Sequence, residues 1–421
     1  MAGITAVKNS RLINALPFYY GWVILAVGTL GTVMMGPSQT FTVSIFIDYL
    51  IADLGISRAN MSLTYGLATL TASLLLPVTG RLVDRYGSRR MVVLVVLGLG
   101  LASWWMSWVQ GALAAFAAML ALRFFGFGSL QLVSNNVIAQ WFIRRRGLVM
   151  GISGLSLPIG LLIFPWLTQF LIGHFGWRDA WTALGGLVWL VMLPVGWFLC
   201  KDRPEQYGLR PDGDAPAPGP SPLSLAAEEN WTLAEARRTG AFWIFAVALS
   251  TMTMILAGLV FHQISLFEVR GMGRDTALIA FNVIALFSII SNLGMGRLLD
   301  RYSARLLLAL TMLLLAATMI MVQVMSTPGQ AFLYAALQGL VSGVFRVMDS
   351  TVWAKYFGRL HLGAIRGATM IGVIGATSLG PYALGLSMDH WGSYAPVISG
   401  LLVVPLTIAV VALLIKRPTK N

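Results

Sequence analysis

Two charged residues, Arg346 and Asp349, lie within an apolar stretch from Leu337 to Phe357 that is long enough to cross a membrane. A charged side chain near the bilayer centre costs roughly 2.5–3.5 kcal/mol on insertion scales, so it usually faces a partner or a water-filled cavity. Positions three apart share one helical face, so the guanidinium and the carboxylate can form an ion pair within the helix. An anion or a proton could open that pair. Both residues are therefore candidates for a binding site, and the alternative is a permanent structural ion pair.

The composition of the chain indicates that these charges lie in a membrane protein. Hydrophobic residues make up 57% of the chain and charged residues 11%, which is far outside the composition of soluble domains. A spanning helix needs about 20 apolar residues, so a chain of 421 residues with short polar breaks accommodates about twelve. The apolar runs are continuous, which predicts helices rather than a barrel. The predicted fold class is an all-α membrane protein.

The net charge of +13 does not indicate a nucleic-acid partner, because the basic residues lie mainly in the loops between the predicted spans. Most Lys and Arg residues occur in the amino-terminal segment, in every second loop and in the tail. The other loops carry only Arg58, Arg178, Arg270 and Arg274. By the positive-inside rule both termini are expected in the cytoplasm, with the protein in the inner (plasma) membrane. The single cysteine, Cys200, excludes an internal disulfide.

The apolar runs fall into two halves. Residues 201–240 are rich in Pro, Gly, Asp and Glu, which predicts a polar linker that cannot bury a core. Six-helix bundles are predicted at 17–200 and 241–415, with a leading segment at 1–16 and a tail at 416–421. The spans are expected at about 19–46, 60–79, 91–109, 112–141, 147–170, 179–199, 241–266, 276–296, 305–325, 331–356, 364–388 and 394–415.

Two local patterns refine this outline. Gly36-Pro37-Ser38-Gln39-Thr40 breaks the first span, because a proline frees backbone groups that neighbours or cavity water must satisfy. Thr232-Leu233-Ala234-Glu235 is a capping-box pattern, which predicts a short surface helix before the seventh span.

The two halves repeat each other. GRLVDRYGSRR at 80–90 has a counterpart in GRLLDRYSARL at 296–306, and Arg146-Gly147 recurs as Arg366-Gly367. Such internal symmetry is typical of transporters built from two bundles. Aligning the fourth span with the tenth puts Arg346 opposite Gln131 and Asp349 opposite Ser134. The second half therefore carries charge where the first is neutral, which predicts an asymmetric site.

These motifs resemble the major facilitator superfamily, over about residues 17–415. Gly80-x-x-x-Asp84-Arg85-x-Gly87-x-Arg90 is similar to the signature between its second and third helices, although Ser88 stands where a basic residue is usual. The second copy, Gly296-x-x-x-Asp300-Arg301, is degenerate after Arg301. Arg123-x-x-Gly126-x-Gly128 resembles the helix-four motif of the superfamily.

Within the superfamily the chain resembles the monocarboxylate and oxalate/formate-type porters. The similar segments are Trp141-Phe142-x-Arg144-Arg145-Arg146-Gly147-x-x-x-Gly151 and TLAEARRTGAFW at 232–243. The monocarboxylate porters' acid before the first-helix Gly-Trp is replaced by Tyr20, and their first-helix lysine is absent. Their helix-eight Asp/Arg pair has no match in 276–296, where the polar residues are Asn282, Ser288 and Asn292.

A latch between the halves is expected at the cytoplasmic side. Asp84 and Asp300 should meet the starts of the eleventh and fifth spans, where Arg366 and Arg146 lie and the helix dipoles favour a carboxylate. Arg85 belongs to the same gating set. The alternative for these residues is a topology signal of solvated charges.

Further binding candidates are neutral or fixed in charge. Arg123 cannot lose its proton, so it serves either to satisfy carbonyl groups of the first span or to attract an anion. His262 titrates near physiological pH and is a candidate for substrate or proton binding, or a satisfied interfacial residue. The remaining cavity candidates, by span position alone, are Gln39, Gln131, Asn135, Asn282 and Tyr382.

The predicted function is secondary transport by alternating access of a small organic anion, most simply a monocarboxylate, with Arg346 binding the anion and Asp349 or His262 carrying a coupled proton. Alternatives are an anion exchanger, or an exporter of neutral or amphipathic compounds with Phe41, Phe261 and Trp353 lining an apolar pocket. A third is a nontransporting membrane receptor. No nucleotide-binding loop, metal cluster or nucleophile constellation occurs in the sequence, so neither a cofactor nor an enzyme activity is expected. The protein is expected to function as a monomer in the lipid bilayer.

Overall fold

The computed structural model describes residues 16–143, 145–213, 230–358 and 361–415, together with Ile13 and Pro418. Most of the predicted leading segment and tail, and the central part of the predicted linker, lie outside the described residues. The description also leaves out the side chains of a few residues within helices, namely Arg146, Gly147, Gly296, Arg297, Asp300 and Gly363.

The described residues form a multi-pass arrangement of helices. Eleven helical stretches among them are long and apolar enough to cross a membrane. One stretch, Leu148–Leu199, has 52 residues, which is more than twice the length of about 20 residues that a single span needs. It therefore accounts for two of the twelve predicted spans, and the all-α class with about twelve membrane helices is confirmed.

The chain divides into two compact units. The first comprises Met1–Tyr49 and Thr71–Ala217, and the second comprises Leu50–Leu70 and Pro218–Asn421. Residues 50–70, which the sequence assigns to the amino-terminal bundle, group with the second unit because they contact its helices. The ring of Tyr65 lies 4.7 Å from that of Phe261, and the Ser378 hydroxyl donates to the Gly66 carbonyl at 2.9 Å.

Among the described residues, eight α-helices precede the predicted linker. They are α1 (Gly21–Met34), α2 (Thr40–Leu54), α3 (Arg58–Tyr86), α4 (Ser88–Ser107), α5 (Ala112–Leu122), α6 (Gln131–Trp141), α7 (Arg146–Ser153) and α8 (Ser156–Pro194). A 3₁₀ turn at Gly36–Ser38 separates α1 from α2, as the proline break predicts. A π-helical segment at Arg123–Leu130 joins α5 to α6. In the first unit, α1 packs on α6 and α8, and α4 packs on α8.

Nine further α-helices are described from the end of the predicted linker onward, and the first of them lies within it. They are α9 (Leu233–Ala236), α10 (Gly240–Phe261), α11 (Gln263–Val269), α12 (Arg274–Arg301), α13 (Ala304–Val324), α14 (Pro328–Phe357), α15 (Leu362–Trp391), α16 (Ala395–Leu401) and α17 (Val403–Leu414). In the second unit, α12 packs on α14, α10 packs on α15, and α13 packs on both α17 and α14.

Gly176 separates the fifth and sixth spans within α8. Its backbone has φ 80° and ψ 164°, in a region that residues with a Cβ rarely adopt. The chain can therefore reverse direction there without a long polar loop. This explains why the sequence shows only a short polar break between these spans.

The predicted capping box at the start of α9 is confirmed. The Glu235 amide donates to the Thr232 hydroxyl at 3.3 Å, and the Thr232 amide donates to the Glu235 carboxylate at 2.7 Å. This exchange satisfies two backbone donors that a helix start otherwise leaves unpaired. The Trp231 amide then donates to the Phe357 carbonyl at 2.9 Å, which ties the end of the linker to the end of α14.

Asp212 lies in the segment that follows the sixth span and binds the turn between α6 and α7. Its carboxylate accepts the amides of Ile143 and Arg145, each at 3.0 Å, and so caps the turn between α6 and α7. The residue is 7% exposed and adopts φ 64°, the left-handed region that Asp and Asn tolerate better than Ala.

We expect the Asp212 contacts to stabilise the first unit measurably. Hydrogen bonds to a charged group contribute about 1.5–3 kcal/mol each, so Asp212→Ala should lower the melting temperature by several degrees. Asp212→Asn keeps one acceptor and tolerates the positive φ, and should lie between wild type and the Ala variant. Asp212→Gly loses both acceptors without strain, and should lie between the Asn and Ala variants. Thermal unfolding of the purified protein in detergent measures this order, and an Ala variant as stable as wild type would contradict it.

Candidate functional site

A polar stripe follows one face of α14. Its members recur every three or four residues, which places them on one side of a helix of 3.6 residues per turn. They are Tyr334, Gln338, Ser342, Arg346, Asp349 and Trp353. The stripe contains both charged residues on which the sequence prediction rests, and it lies within the second unit.

Asp349 forms an ion pair with Arg366 of α15 rather than with Arg346. The Arg366 Nη2 to Asp349 Oδ2 distance is 3.0 Å, and the two side chains are 37% and 26% exposed. Helical side chains lean toward the amino terminus of their helix, so Arg346 points away from an acid that follows it in sequence. The expected pair within the helix is therefore wrong. Arg366, which is also expected to belong to a latch with Asp84, is bonded here to a carboxylate of its own unit.

Arg346 is left with its charge uncompensated by a carboxylate in the described part of the chain. Its Nε is buried and has no hydrogen-bond partner among the described residues. A buried donor that lacks a partner costs about 1–3 kcal/mol, and more when the group is charged. Such a cation is suited to binding an anion, since a guanidinium can hold a carboxylate through two parallel hydrogen bonds.

Two glycines set the register between α12 and α14. A Cβ added at Gly339 would lie 2.5 Å from the carbonyl oxygen of Ile284, and one added at Gly343 would lie 2.5 Å from that of Ser288. Only glycine allows this approach of the two backbones. The numbering rises together along both helices, so they run in the same direction. In this register Gln338 comes level with Val283, the residue after Asn282.

Asn282 is half-buried, and its Oδ1 has no hydrogen-bond partner among the residues described. Tyr382, the other neutral candidate of the second unit, is half-buried in α15. Gln338 is fully buried, and neither of its amide atoms has a partner in the described ranges. Sequence reasoning missed Gln338. Its signal was the spacing, because it lies two turns before Arg346 on the same face.

His262 is enclosed in a hydrogen-bonded cluster at the end of α10. Its Nε2 donates to the Pro381 carbonyl at 2.9 Å, which assigns the proton to that nitrogen because a carbonyl oxygen can only accept. Nε2 also lies 3.4 Å from the Ser62 hydroxyl, and Nδ1 lies 3.5 Å from that of Tyr394. Tyr394 donates to Ser265 at 2.8 Å. With 1% exposure, this imidazole joins the start of α3 to α10, α15 and the residue before α16.

Two polar candidates of the first unit, Arg123 and Gln39, lie at the break in the first span. The Arg123 guanidinium donates to the Ser38 carbonyl at 2.7 Å and lies 4.0 Å above the ring of Phe127. Gln39 is 6% exposed, and its Nε2 has no partner among the described residues. Gln131 and Asn135 are half-buried one turn apart on α6. Arg123 thus satisfies a carbonyl group that the break frees, which is one of its two predicted roles.

The gating residues are described only in part. Asp84 and Arg85 are exposed near the end of α3, while the side chains of Arg146 and Asp300 lie outside the described part of the structure. The latch stays a prediction.

The apolar residues of the exporter alternative are packed side chains. Trp353 is fully buried, with its ring 5.8 Å from that of Phe242 and 6.4 Å from that of Phe245. Phe261 is 1% exposed and packs on Tyr65. Phe41 is 7% exposed in the first unit.

Sequence comparison finds transporters among the relatives. "Uncharacterized MFS-type transporter YhjX" of Escherichia coli (strain K12) is 27% identical over 288 residues, which are 66% of this chain and 64% of the relative. "Monocarboxylate transporter 2" of Homo sapiens is 34% identical over 117 residues, 27% of this chain and 23% of the relative. In both cases the match spans less than two thirds of the relative's own length.

Solved structures share the fold. A bacterial homolog of the human lysosomal transporter Spinster, in an inward-facing and unoccupied conformation, superimposes with a TM-score of 0.70 at 15% identity and covers 96% of each chain. A D-xylose-proton symporter gives a TM-score of 0.69 at 14% identity and covers 93% of this chain and 97% of its own. The family model of the Major Facilitator Superfamily matches residues 28–329, which is most of the chain. The protein therefore belongs to the Major Facilitator Superfamily.

Proposed function

We propose that this protein is a secondary active transporter that moves a small organic anion, a monocarboxylate in the simplest case, by alternating access and with proton coupling. The observation that carries the proposal is Arg346, a cation within a membrane-spanning helix whose buried Nε has no partner among the described residues. An intramembrane charge of this kind marks a substrate or ion path. The similarity to monocarboxylate transporters over part of the chain supports the same substrate class.

We assign the coupled proton to Asp349. Its carboxylate is partly exposed and bonds to Arg366 at 3.0 Å, so protonation would remove one charge of the pair and release the arginine. His262 is less suited to this role. Its Nε2–H donates to the Pro381 carbonyl, and the residue is buried. A second proton would therefore have to reach an imidazole that solvent does not contact.

The distribution of basic residues supports an orientation with both termini in the cytoplasm of a cell whose plasma (inner) membrane holds the protein. The proposed gating set on the cytoplasmic side remains Asp84, Arg85, Arg146, Asp300 and Arg366. The protein is proposed to work as a monomer.

Proton coupling predicts gradient-driven accumulation. Proteoliposomes with an alkaline interior should accumulate labelled lactate or gluconate above equilibrium, and a protonophore should abolish the accumulation. Asp349→Asn should lose accumulation yet still exchange external for internal substrate, because exchange needs no net proton transfer. Protein-free liposomes control for permeation of the protonated acid.

Two results would contradict this coupling. Accumulation that depends on an internal anion and ignores the pH gradient would indicate exchange. Gradient-driven accumulation by the Asp349→Asn variant would show that Asp349 does not carry the coupled proton.

One observation favours a second candidate, the transport of amphipathic compounds. A groove of about 580 Å³ lies between α10 and α15. Its lining is mainly apolar and includes Phe242, Trp243, Val247, Met254, Ile371 and Leu379. If this groove binds the substrate, Val247→Ser should weaken transport of a lipophilic cation, and carboxylates should not compete with that cation.

A further inference from the structure

The groove between α10 and α15 follows the seam of two closely packed helices in the second unit. A Cβ added at Gly372 would lie 3.0 Å from the Ser250 hydroxyl oxygen. One added at Gly258 would lie 3.0 Å from the Gly380 carbonyl oxygen. A Cβ added at Gly375, which lines the groove, would meet no atom within 4 Å. The groove is therefore an open hollow over a tight seam, with room left where Gly375 has no side chain.

The rim of the groove is apolar and accessible. Four large side chains line it, and each is at least 47% exposed, namely Trp243, Val247, Ile371 and Leu379. Lipid tails are as apolar as these side chains, so acyl chains can contact the rim without a desolvation cost. The groove is therefore suited to the hydrocarbon part of a ligand.

One end of the groove is positively charged. Among the described residues, the lining contains a single charged side chain, that of Arg237, and no acidic one. Arg237 is exposed and lies three residues before the start of α10. A cation at one end of an apolar groove complements a ligand that joins a negative group to a hydrocarbon chain. A neutral or cationic amphipathic compound would leave the charge of Arg237 unmatched.

Trp243 indicates the level of this end relative to the bilayer. Its indole Nε1 donates to the Arg237 carbonyl at 2.8 Å, and tryptophan is enriched where lipid headgroups meet hydrocarbon. Met254, the last lining residue on α10, lies eleven residues beyond Trp243, which is about 16 Å at 1.5 Å per residue. The hydrocarbon core of a bilayer is about 30 Å thick. The groove is therefore about as long as one leaflet is thick.

We propose that this groove binds an anionic phospholipid of the cytoplasmic leaflet, with Arg237 contacting the phosphate and one acyl chain lying along the groove. A groove of leaflet length that begins at the headgroup level matches a molecule that the bilayer already aligns in this way. The site is separate from Arg346 and does not depend on anion transport. A resident lipid would occupy the groove that the amphipathic-transport candidate requires.

Retention of matched lipids by the purified full-length protein tests the proposal. The probes are phosphatidylglycerol and phosphatidylcholine with identical acyl chains, added at equal concentration in a neutral detergent. Phosphatidylcholine carries the same phosphate, but its choline cation cancels the charge. We expect wild type to prefer phosphatidylglycerol about fivefold, the ratio that about 1 kcal/mol per basic residue gives. Native mass spectrometry measures the retained lipid, and lipid-induced thermal shift provides a second readout.

Arg237→Gln should reduce this preference to near unity, because it removes the charge at the end of the groove. Arg238→Gln is the matched control. Arg238 is the next residue and is also exposed, but it does not line the groove. The control should therefore keep the preference of wild type, and both variants should keep its melting temperature in detergent without added lipid.

Gly375→Leu tests the apolar part of the site independently of charge. Leucine would fill the hollow and should lower retention of both lipids at least severalfold. Leucine also has the higher helix propensity, so the variant should fold. Gly186→Leu on α8 is the control, because a Cβ there would likewise meet no atom within 4 Å and Gly186 lies outside the groove. It should retain lipid as wild type does.

Four outcomes would overturn the proposal. The first is equal retention of the two lipids by wild type, and the second is an equal loss of preference in the Arg237 and Arg238 variants. The third is wild-type retention by Gly375→Leu. The fourth is movement of labelled phosphatidylglycerol between the leaflets of proteoliposomes, which would make the lipid a substrate instead of a resident ligand.

Discussion

Replacing Arg346 with glutamine is expected to lower carboxylate affinity and uptake by tenfold or more. A charge-assisted hydrogen bond contributes about 1.5–3 kcal/mol, and each 1.4 kcal/mol is a factor of about ten in affinity. Arg346→Lys keeps the positive charge but loses the planar fork that holds a carboxylate at two points, so it should fall between wild type and the Gln variant. Binding by calorimetry and uptake into proteoliposomes at equal protein content measure the order.

Stability distinguishes this outcome from misfolding. Since Asp349 pairs with Arg366 at 3.0 Å, removing Arg346 does not leave Asp349 unpaired, and the melting temperature of Arg346→Gln should equal or exceed that of wild type. The double variant Arg346→Gln with Asp349→Asn should also fold but not bind the anion. Arg274→Gln is a matched control, because Arg274 is 3.8 Å from the largely exposed Glu268 near the start of α12. Wild-type carboxylate transport by the double variant would show that the site lies elsewhere.

His262→Leu should destabilise the second unit more than any other single change considered. The substitution leaves the Pro381 carbonyl without the imidazole donor and removes a polar neighbour from Ser62 and Tyr394. Each buried polar group left unpaired costs about 1–3 kcal/mol, so the loss should reduce the melting temperature by several degrees. His262→Gln can still donate from its amide, and should recover part of the stability. Thermal unfolding and the yield of monodisperse protein in detergent report the effect.

His174→Leu is the control, because His174 is exposed and its loss should leave the melting temperature unchanged. Transport by His262→Gln also tests the assignment of the proton. If this variant folds and still accumulates substrate in response to a pH gradient, the histidine is a structural residue. Loss of proton coupling with retained folding and exchange would assign the proton to His262 instead of Asp349.

The sequence allowed the membrane class, the spans and the family to be predicted, since these depend on runs of residue types. The proline break at Gly36–Ser38 and the capping box at Thr232 are local features, and both occur as predicted. The partner of Asp349 could not be predicted, because the choice between Arg346 and Arg366 depends on how a helical side chain leans and on the packing of α15 beside α14. Gln338 was overlooked although its spacing places it on the same helical face as Arg346. Its complete burial without a hydrogen-bond partner among the described residues could not be predicted, because residue type does not reveal it.

The contact between Arg123 and the broken first span should limit which residues relatives can carry at these two places. The guanidinium donates to the Ser38 carbonyl at 2.7 Å, one of the backbone groups at the break that Pro37 creates. In a relative whose first helix runs straight, that carbonyl would accept a hydrogen bond within its own helix. A buried arginine would then lack an acceptor and would destabilise the fold. A relative that keeps the break but lacks the arginine must supply another donor. The two positions should therefore covary, so that the identity of one constrains which substitutions survive at the other.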